Sequence, residues 1–125
     1  MVNTIFLAKA KRNIQAAQLL FDHAMYDESA NRAYYAALQA ASSALSKVGI
    51  QAEGMSHEAV QSAFSRELIH RRKIYPGRFK SYLSELLLTR NTADYKPRFT
   101  SRNAAAQQLQ KAKEFFESVE KETTQ

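Results

Sequence analysis

The chain contains no cysteine among its 125 residues, and this absence excludes disulfides, iron–sulfur clusters and thiolate zinc sites. Glycine is also scarce. The three glycines are too widely separated to form a phosphate-cradling loop, which needs several glycines within a few residues. The sequence therefore contains no nucleotide-binding loop of the GxGxxG or GxxxxGK type.

Metal ligands and membrane segments are missing as well. The histidines His23, His57 and His70 are scattered without ligand partners at helical spacing, so we expect neither a metal site nor a cofactor. No apolar run approaches the roughly 20 residues that a membrane-spanning helix needs. The first residues carry their apolar side chains before their charges, which is the reverse of a secretory signal. We therefore expect a cytoplasmic protein that does not contact a membrane.

Positive charge, in contrast, is concentrated in one segment. Residues 66–102 contain ten basic and three acidic side chains, a net charge of +7. Residues 1–65 are neutral overall and residues 103–125 carry a net charge of −1, which gives +6 for the chain. A localised excess of this kind is typical of a protein that binds a polyanion. A solvated basic surface without a ligand is the alternative, and charge alone does not decide between the two.

Apolar residues recur at helical spacing through most of the chain, and no segment alternates with period two. The pattern predicts five amphipathic helices with short connections, hence an all-α, antiparallel up-and-down bundle of four to five helices. We expect one domain over residues 1–125 with a polar tail at about 121–125. The expected helix boundaries are an N-cap at Asp27, a stop at Gly49, an N-cap at Ser56, a Pro-Gly turn at 76–77, a stop at Pro97 and an N-cap at Thr100 or Ser101.

Two features of this pattern could carry chemistry. The second helix has a polar stripe opposite its apolar one, formed by Arg32, Tyr35, Gln39, Ser42 and Ser46. Such a stripe either lines a cleft, or is solvated, or forms a polar dimer contact.

The second feature is Arg90, which follows Phe79, Leu83 and Leu86 on the apolar stripe of the fourth helix. A buried guanidinium needs a partner or water. Arg90 could form a structural ion pair with Asp94, one turn later, or serve as a functional arginine in a solvent-reached cleft. We expect its side chain to lie close to Arg32 or Tyr35, or to the Arg90 of a second copy across a two-fold axis.

Three stretches carry a family resemblance: SANRAYYAALQAASSALSKVG, SHEAVQSAF and RNTADYKPRFTSRNAAAQQLQKAKEFF. The chain resembles the HEPN family (higher eukaryotes and prokaryotes nucleotide-binding), in particular its small stand-alone prokaryotic branch, over about residues 5 to 120. The matching elements are Arg32-Ala33-Tyr34-Tyr35-Ala36, a histidine at the start of the next helix (His57), and Arg90-Asn91-x-x-Asp94-Tyr95.

The resemblance implies a helical bundle that usually forms a symmetric dimer. Many HEPN proteins are paired with a minimal nucleotidyltransferase in toxin–antitoxin modules, and many are metal-independent RNA endonucleases. Their active site is an arginine followed after four to six residues by a histidine. The pair suits cleavage through the ribose 2′-hydroxyl, which needs a base of near-neutral pKa and a cation that stabilises the phosphate.

The chain departs from that motif. Arg90 and Asn91 match its opening, but Tyr95 stands where the common spacing has histidine, and no histidine follows His70. Tyrosine, with a pKa near 10, is a weak base at neutral pH. Either the nuclease is degenerate or another residue supplies the proton transfer, and His57 is the candidate that belongs to the matching pattern. A histidine bonded to backbone at a helix start is the structural alternative for His57.

Three functional hypotheses follow. The first is an RNA- or nucleotide-binding partner of a nucleotidyltransferase with little catalysis, and the second is an RNA endonuclease toxin that uses Arg90 with a non-standard base. The third is a purely structural dimerisation domain, which the charge segregation disfavours. Candidate catalytic residues are Arg90, Asn91, Tyr95 and His57. Candidate RNA- or nucleotide-binding residues are Arg32, Tyr35, Arg71, Arg72, Lys73 and Arg98.

Overall fold

The computed structural model describes residues 4–124, which are helical with no strand, as the sequence predicts. A π-helical segment, Phe64–Arg71, continues the third helix without a break. The helices are α1 Thr4–Asp22, α2 Tyr26–Lys47, α3 His57–Ala63, α4 Arg78–Tyr95 and α5 Arg102–Thr123. Within the described residues, no helix has the length and apolarity that crossing a membrane requires.

The second helix, α2, is the centre of the bundle and packs against α1, α4 and α5. Its alanines make this possible, because small side chains allow neighbouring helices to approach closely. The polar stripe predicted for α2 is therefore not simply solvated: Ser42 is 5% exposed, and its hydroxyl donates to the backbone carbonyl of Leu38. The alanines buried along α2 are Ala30, Ala33, Ala36, Ala37, Ala40, Ala41 and Ala44.

Contacts between the long helices fix their directions. Near the start of α2, Asn31 contacts Asp94 at the end of α4, so these two helices are antiparallel. Near its end, Lys47 donates to the Glu122 carbonyl at the end of α5, so α2 and α5 run the same way. The short α1–α2 connection makes those helices antiparallel. The up-and-down bundle is confirmed, with α1 and α4 running opposite to α2 and α5.

Most predicted boundaries are confirmed. Ser56 and Ser101 cap α3 and α5 by accepting from the backbone N–H groups three residues on, and Gly49 follows α2 with φ +85°. The N-cap at Asp27 was wrong, because α2 begins at Tyr26 with Met25 at the cap. The Asp27 carboxylate instead accepts from the backbone N–H of Thr100 at 2.7 Å and ties the start of α2 to the start of α5.

The π-helical winding after Ala63 is a feature that the sequence pattern did not predict. The backbone N–H of Arg72 donates to the Glu67 carbonyl, five residues back, at 3.1 Å. The apolar residues Val60, Phe64 and then Leu68 with Ile69 are four to five positions apart, and all are buried. A winding wider than the α-helix keeps this longer spacing on the core side.

Candidate nucleic-acid interface

Arg90 lies in the last two turns of α4 and reaches the centre of the bundle's end, where α4 meets α2. Its Nη2 donates to the Tyr35 hydroxyl at 3.2 Å, and its Nη1 donates to Asn91 Oδ1 at 3.3 Å. The side chain is 18% exposed, so the guanidinium is mostly covered but still reached by water. The predicted proximity of Arg90 to Tyr35 is therefore confirmed.

The ion pair with Asp94 that the sequence offered as the alternative is also present. Arg90 Nε lies 2.9 Å from Asp94 Oδ2. Within residues 4–124, however, this buried Nε makes no hydrogen bond, because its N–H does not point along the contact. The pair is an electrostatic contact without the directional bond that makes arginine–carboxylate pairs strong. Arg90 is thus reached by water and partly neutralised at the same time.

Tyr35 is contacted by cations from two helices. The guanidinium carbon of Arg32 lies 5.0 Å from the Tyr35 ring centroid, and that of Arg90 lies 5.6 Å from it. Both distances are within the range of a cation–π contact. Two like charges are tolerated here because the electron-rich ring and nearby polar groups offset their repulsion.

A polar network connects the two arginines. Arg32 donates to Asn31 Oδ1 from Nη2 at 2.6 Å and to Asn13 Oδ1 from Nη1 at 3.2 Å. Asn31 in turn donates to Asp94 Oδ2 at 3.0 Å. Asn13 and Asn31 were not among the predicted site residues, since nothing in their spacing marks them. We call Arg90, Arg32, Tyr35, Asn31 and Asp94 the Arg90 cluster.

His57 lies against the tyrosines of this cluster. Its ring centroid is 5.6 Å from that of Tyr35 and 5.8 Å from that of Tyr34. His57 is exposed, as the first residue of α3 after the Ser56 cap. Tyr35 therefore contacts both the candidate base and the candidate phosphate-binding arginine.

Tyr34 and Tyr95 complete the aromatic surroundings of Arg90, whose guanidinium carbon lies 5.9 Å and 5.7 Å from their ring centroids. Tyr34 is fully buried, and burial raises the pKa of its hydroxyl despite a hydrogen bond from Gln61. Tyr95 is 70% exposed and forms the outer edge of the cluster. The four candidate catalytic residues thus all lie around Arg90 and Tyr35.

The basic segment 66–102 does not form one patch. Arg90 lies twelve residues beyond Arg78, roughly 18 Å along α4, whereas Arg71, Arg72 and Lys73 precede that helix. Arg71 pairs with Glu67 at 2.8 Å, and its hydrogen bond lowers the pKa of the Glu67 carboxyl. The cations that are adjacent in sequence are therefore distributed along the length of the bundle.

The loop after α4 brings an aromatic residue that the sequence reasoning missed. Phe99 is 91% exposed, and Lys96 and Arg98 beside it are exposed too. Together with Tyr95 they form the string YKPRF, in which aromatic and basic residues are interleaved. That interleaving is a known signature of nucleic-acid contact and could have been noticed in the sequence.

A cleft of about 490 Å³ lies beside the cluster, but its lining carries a net negative charge, which disfavours an anion. Asp27, Glu28 and Asp94 line it, against the single cation Arg32. A phosphate would therefore approach Arg90 from the side of Tyr95. Within the described residues, no group of three or more acidic and histidine side chains is arranged to hold a metal ion.

The family model of the HEPN domain matches residues 4–122 of the 125-residue chain. The chain belongs to the HEPN family. HEPN domains are generally nucleases or RNA-related domains, are associated with nucleic acid and often dimerise. No curated protein matches the chain.

Proposed function

We propose that the chain is a single HEPN domain that binds RNA or a nucleotide through the Arg90 cluster and has little nuclease activity of its own. We propose further that it is the RNA-associated component of a prokaryotic toxin–antitoxin-type module and acts with a nucleotidyltransferase partner in the cytoplasm. The observation that carries the binding proposal is the guanidinium of Arg90 among the rings of Tyr34, Tyr35 and Tyr95.

This arrangement offers the two contacts that RNA needs. Arginine binds phosphate through its fork of N–H donors. The exposed ring of Tyr95, with Phe99 four residues on, provides faces on which unpaired bases stack. Arg98 extends the positive charge along the same loop. The cluster therefore suits a single strand better than a duplex, whose bases are covered.

Weak catalysis follows from the identity and surroundings of the same residues. Tyr95 stands where the common spacing of the family's motif has histidine, and it lacks the imidazole that serves as the base in that motif. Asp94, 2.9 Å from Arg90 Nε, offsets the charge that would stabilise a reacting phosphate. Both effects favour binding over turnover.

The test of this proposal is RNA affinity measured by fluorescence anisotropy with a labelled single-stranded oligonucleotide. We expect Arg90→Ala to weaken binding at least about tenfold, roughly 1.4 kcal/mol, and to lower the thermal midpoint only slightly, through loss of the pair with Asp94 and of the hydrogen bond to Tyr35. Lys121→Ala is the control, because this exposed residue lies in the last turn of α5, at the other end of the bundle. Unchanged affinity together with lower thermal stability would mean that Arg90 is only a strut paired with Asp94.

An active endoribonuclease is the second candidate, and the position of His57 favours it. The ring of His57 is 5.6 Å from that of Tyr35, whose hydroxyl accepts from Arg90. In this reaction the His57 imidazole takes the proton of a ribose 2′-hydroxyl, and the 2′-oxygen attacks the adjacent phosphorus. The P–O5′ bond breaks, the departing 5′-oxygen takes a proton from water, and a 2′,3′-cyclic phosphate and a 5′-hydroxyl are left, while Arg90 binds the charged phosphate.

Cleavage assays distinguish this candidate from the binding module. An active enzyme should cut RNA in the presence of EDTA, should spare an oligonucleotide with 2′-deoxyribose at the cleaved position, and should lose activity in His57→Gln. If the protein at micromolar concentration binds RNA but does not cleave it, the result would contradict the endoribonuclease and favour the binding module.

We also propose that the protein is a homodimer. The support for this proposal is that HEPN domains often dimerise; the alanines of α2 give none, because they are buried within the bundle of one chain. Light scattering at micromolar concentration should give twice the chain mass of 14.2 kDa. A single species at the chain mass would contradict it.

A further inference from the structure

The side chain of Asn31 lies between two groups of opposite charge in the Arg90 cluster. Its Oδ1 accepts from Arg32, from Nη2 at 2.6 Å and from Nε at 3.1 Å. Its Nδ2 donates to the Asp94 carboxylate, to Oδ2 at 3.0 Å and to Oδ1 at 3.4 Å. Asn31 thus joins a cation of α2 to a carboxylate of α4.

An amide is the side chain that suits this position. Asparagine and glutamine carry a carbonyl acceptor and an N–H₂ donor on one planar group, and other side chains do not. The opposite orientation of the Asn31 amide would place its oxygen against Asp94 and its N–H₂ against Arg32, and both contacts would be repulsive. The charges on either side therefore fix the orientation of the amide, and the amide in turn binds the Asp94 carboxylate from the side of α2.

The oxygen that Asn31 binds is also close to Arg90. Asp94 Oδ2 lies 2.9 Å from Arg90 Nε, yet this Nε–H makes no hydrogen bond within residues 4–124. The same oxygen does accept from Asn31 Nδ2 at 3.0 Å. The directional bond of Asp94 therefore goes to α2, whereas Arg90, four residues earlier on α4, has only an electrostatic contact with it.

This division of Asp94 affects the charge that Arg90 offers. An arginine and an aspartate four residues apart on a helix readily form an ion pair. A hydrogen-bonded pair would neutralise Arg90 more completely than the present contact does, because charge-assisted bonds are stronger than contacts without alignment. Since Asn31 binds Asp94 from the neighbouring helix, it opposes the closure of that pair. Part of the charge of Arg90 is left for a phosphate.

We propose that Asn31 is a positioning residue for RNA binding, which holds Asp94 away from a bonded pair with Arg90 and so raises the affinity of Arg90 for phosphate. The proposal rests on RNA binding at the Arg90 cluster, the function proposed above, and adds a residue that acts through Asp94 and not through the RNA. Its effect should therefore vanish when the carboxylate is removed.

A double-mutant cycle on RNA affinity, measured by fluorescence anisotropy, tests this proposal. Asn31→Ala should weaken binding of a single-stranded RNA at least about threefold, because Asp94 can then close on Arg90. In the Asp94→Asn background the same substitution should change the affinity by less than about 1.5-fold. Asn13→Ala is the matched control, since Asn13 accepts from Arg32 at 3.2 Å but makes no hydrogen bond to Asp94. This variant should bind RNA like the unmodified protein.

The ¹H–¹⁵N signal of Arg90 Nε provides a readout that needs no RNA, and it is assigned by its absence from the spectrum of Arg90→Ala. The proton should move downfield in Asn31→Ala, because a hydrogen bond to the Asp94 carboxylate deshields it. The shift should be absent when Asn31→Ala is combined with Asp94→Asn. A general loss of packing caused by Asn31→Ala would not be cancelled by the second substitution.

The outcomes separate this proposal from the function on which it rests. If Arg90→Ala leaves RNA affinity unchanged, both proposals fail. If Arg90→Ala weakens binding but Asn31→Ala does not, or weakens it equally in the Asp94→Asn background, only the role of Asn31 is overturned. An unchanged Nε signal in Asn31→Ala would overturn that role too. So would stronger RNA binding in Asn31→Ala, since Arg32 would then have taken the carboxylate from Arg90.

Discussion

The Arg90 cluster and a groove between α4 and the π-helical segment, which we call the π groove, both contain basic side chains, but these side chains are held in different ways. Arg90 donates to the Tyr35 hydroxyl and lies 2.9 Å from the Asp94 carboxylate, and Arg32 donates to Asn31. His70 and Lys80 in the π groove have no such partners within residues 4–124. A phosphate at the Arg90 cluster must compete with Asp94, whereas in the π groove the carboxylate in contact with a lining residue is Glu67, 3.4 Å from Arg66. The net charge of a segment therefore predicts anion binding less well than the positions of its few acidic side chains.

The two sites also differ in what supports them. The π groove lies beside an aromatic core in which the ring of Phe115 stacks on Phe79 at 4.8 Å and contacts Phe64 at 5.0 Å. The Arg90 cluster lies at the bundle's end and is positioned mainly by hydrogen bonds and cation–π contacts. Substitutions that disturb core packing should therefore affect the π groove, and polar substitutions should affect the Arg90 cluster.

The largest effect that we predict comes from breaking this core. Phe115→Ala should lower the free energy of unfolding by about 3–5 kcal/mol, because it removes a fully buried ring and leaves a cavity. Urea denaturation followed by circular dichroism measures this loss. Phe99→Ala is the control, since that ring is 91% exposed and its removal should change stability by less than about 0.5 kcal/mol. Similar losses for both variants would mean that the aromatic core does not support the groove.

A second prediction tests whether charge distant from Arg90 contributes to RNA binding. Arg71→Glu combined with Arg72→Glu should weaken RNA binding about tenfold without unfolding the chain, because phosphate contacts release counterions. The slope of log K against log salt should become shallower in the variant. Salt-independent binding of the unmodified protein would contradict a phosphate-dominated interface.

A third prediction concerns removal of the Asp94 carboxylate from the Arg90 cluster. Asp94→Asn keeps an acceptor for Asn31 but removes the carboxylate beside Arg90. RNA affinity should rise about threefold, roughly 0.7 kcal/mol, and the free energy of unfolding should fall by about 0.5–1 kcal/mol. Anisotropy and urea denaturation measure the two quantities. Glu85→Gln, which breaks an exposed pair with Lys111, should leave RNA affinity unchanged. Weaker RNA binding in Asp94→Asn would show that Asp94 positions Arg90 for its ligand.

The smallest predicted effect concerns the stability of the chain at acidic pH. Hydrogen bonds from Arg78, and then from Tyr82, hold the pKa of Glu114 below its ordinary value of 4.5. A carboxyl with a lowered pKa stabilises the fold above that value, and the contribution is lost as the pH falls through the folded-state pKa. Between about pH 6 and about pH 3, Glu114→Gln should therefore lose less stability than the unmodified chain. The difference should be at most about 0.5 kcal/mol, because the pair is exposed to solvent.

Glu117→Gln is the control for this measurement. Its carboxylate is exposed and forms no ion pair within the described part of the chain. The pH dependence of that variant should match that of the unmodified protein. Equal behaviour of the Glu114 and Glu117 variants would mean that the Arg78–Glu114 pair adds nothing to stability.

Prediction from sequence succeeded best where the determinants are local. The helix stops at Gly49 and Pro97 and the caps at Ser56 and Ser101 depend on residues within one turn, and all four are confirmed. Asp27 failed as a cap because its carboxylate bonds to Thr100, 73 residues away, and no local rule could weigh that partner. The π-helical winding was missed because it depends on which apolar residues the core must bury.

The helical periodicity and the inward position of Arg90 were both determined by the sequence, since each follows from residue type and spacing along one helix. The Arg90–Asp94 pair is local too, because the two residues are one turn apart. The tertiary structure decided the contacts that join different helices, such as Arg78 with Glu114 and Arg90 with Tyr35. Electrostatic interactions act between neighbours in space, so the availability of a charge for a ligand is decided only when the helices pack.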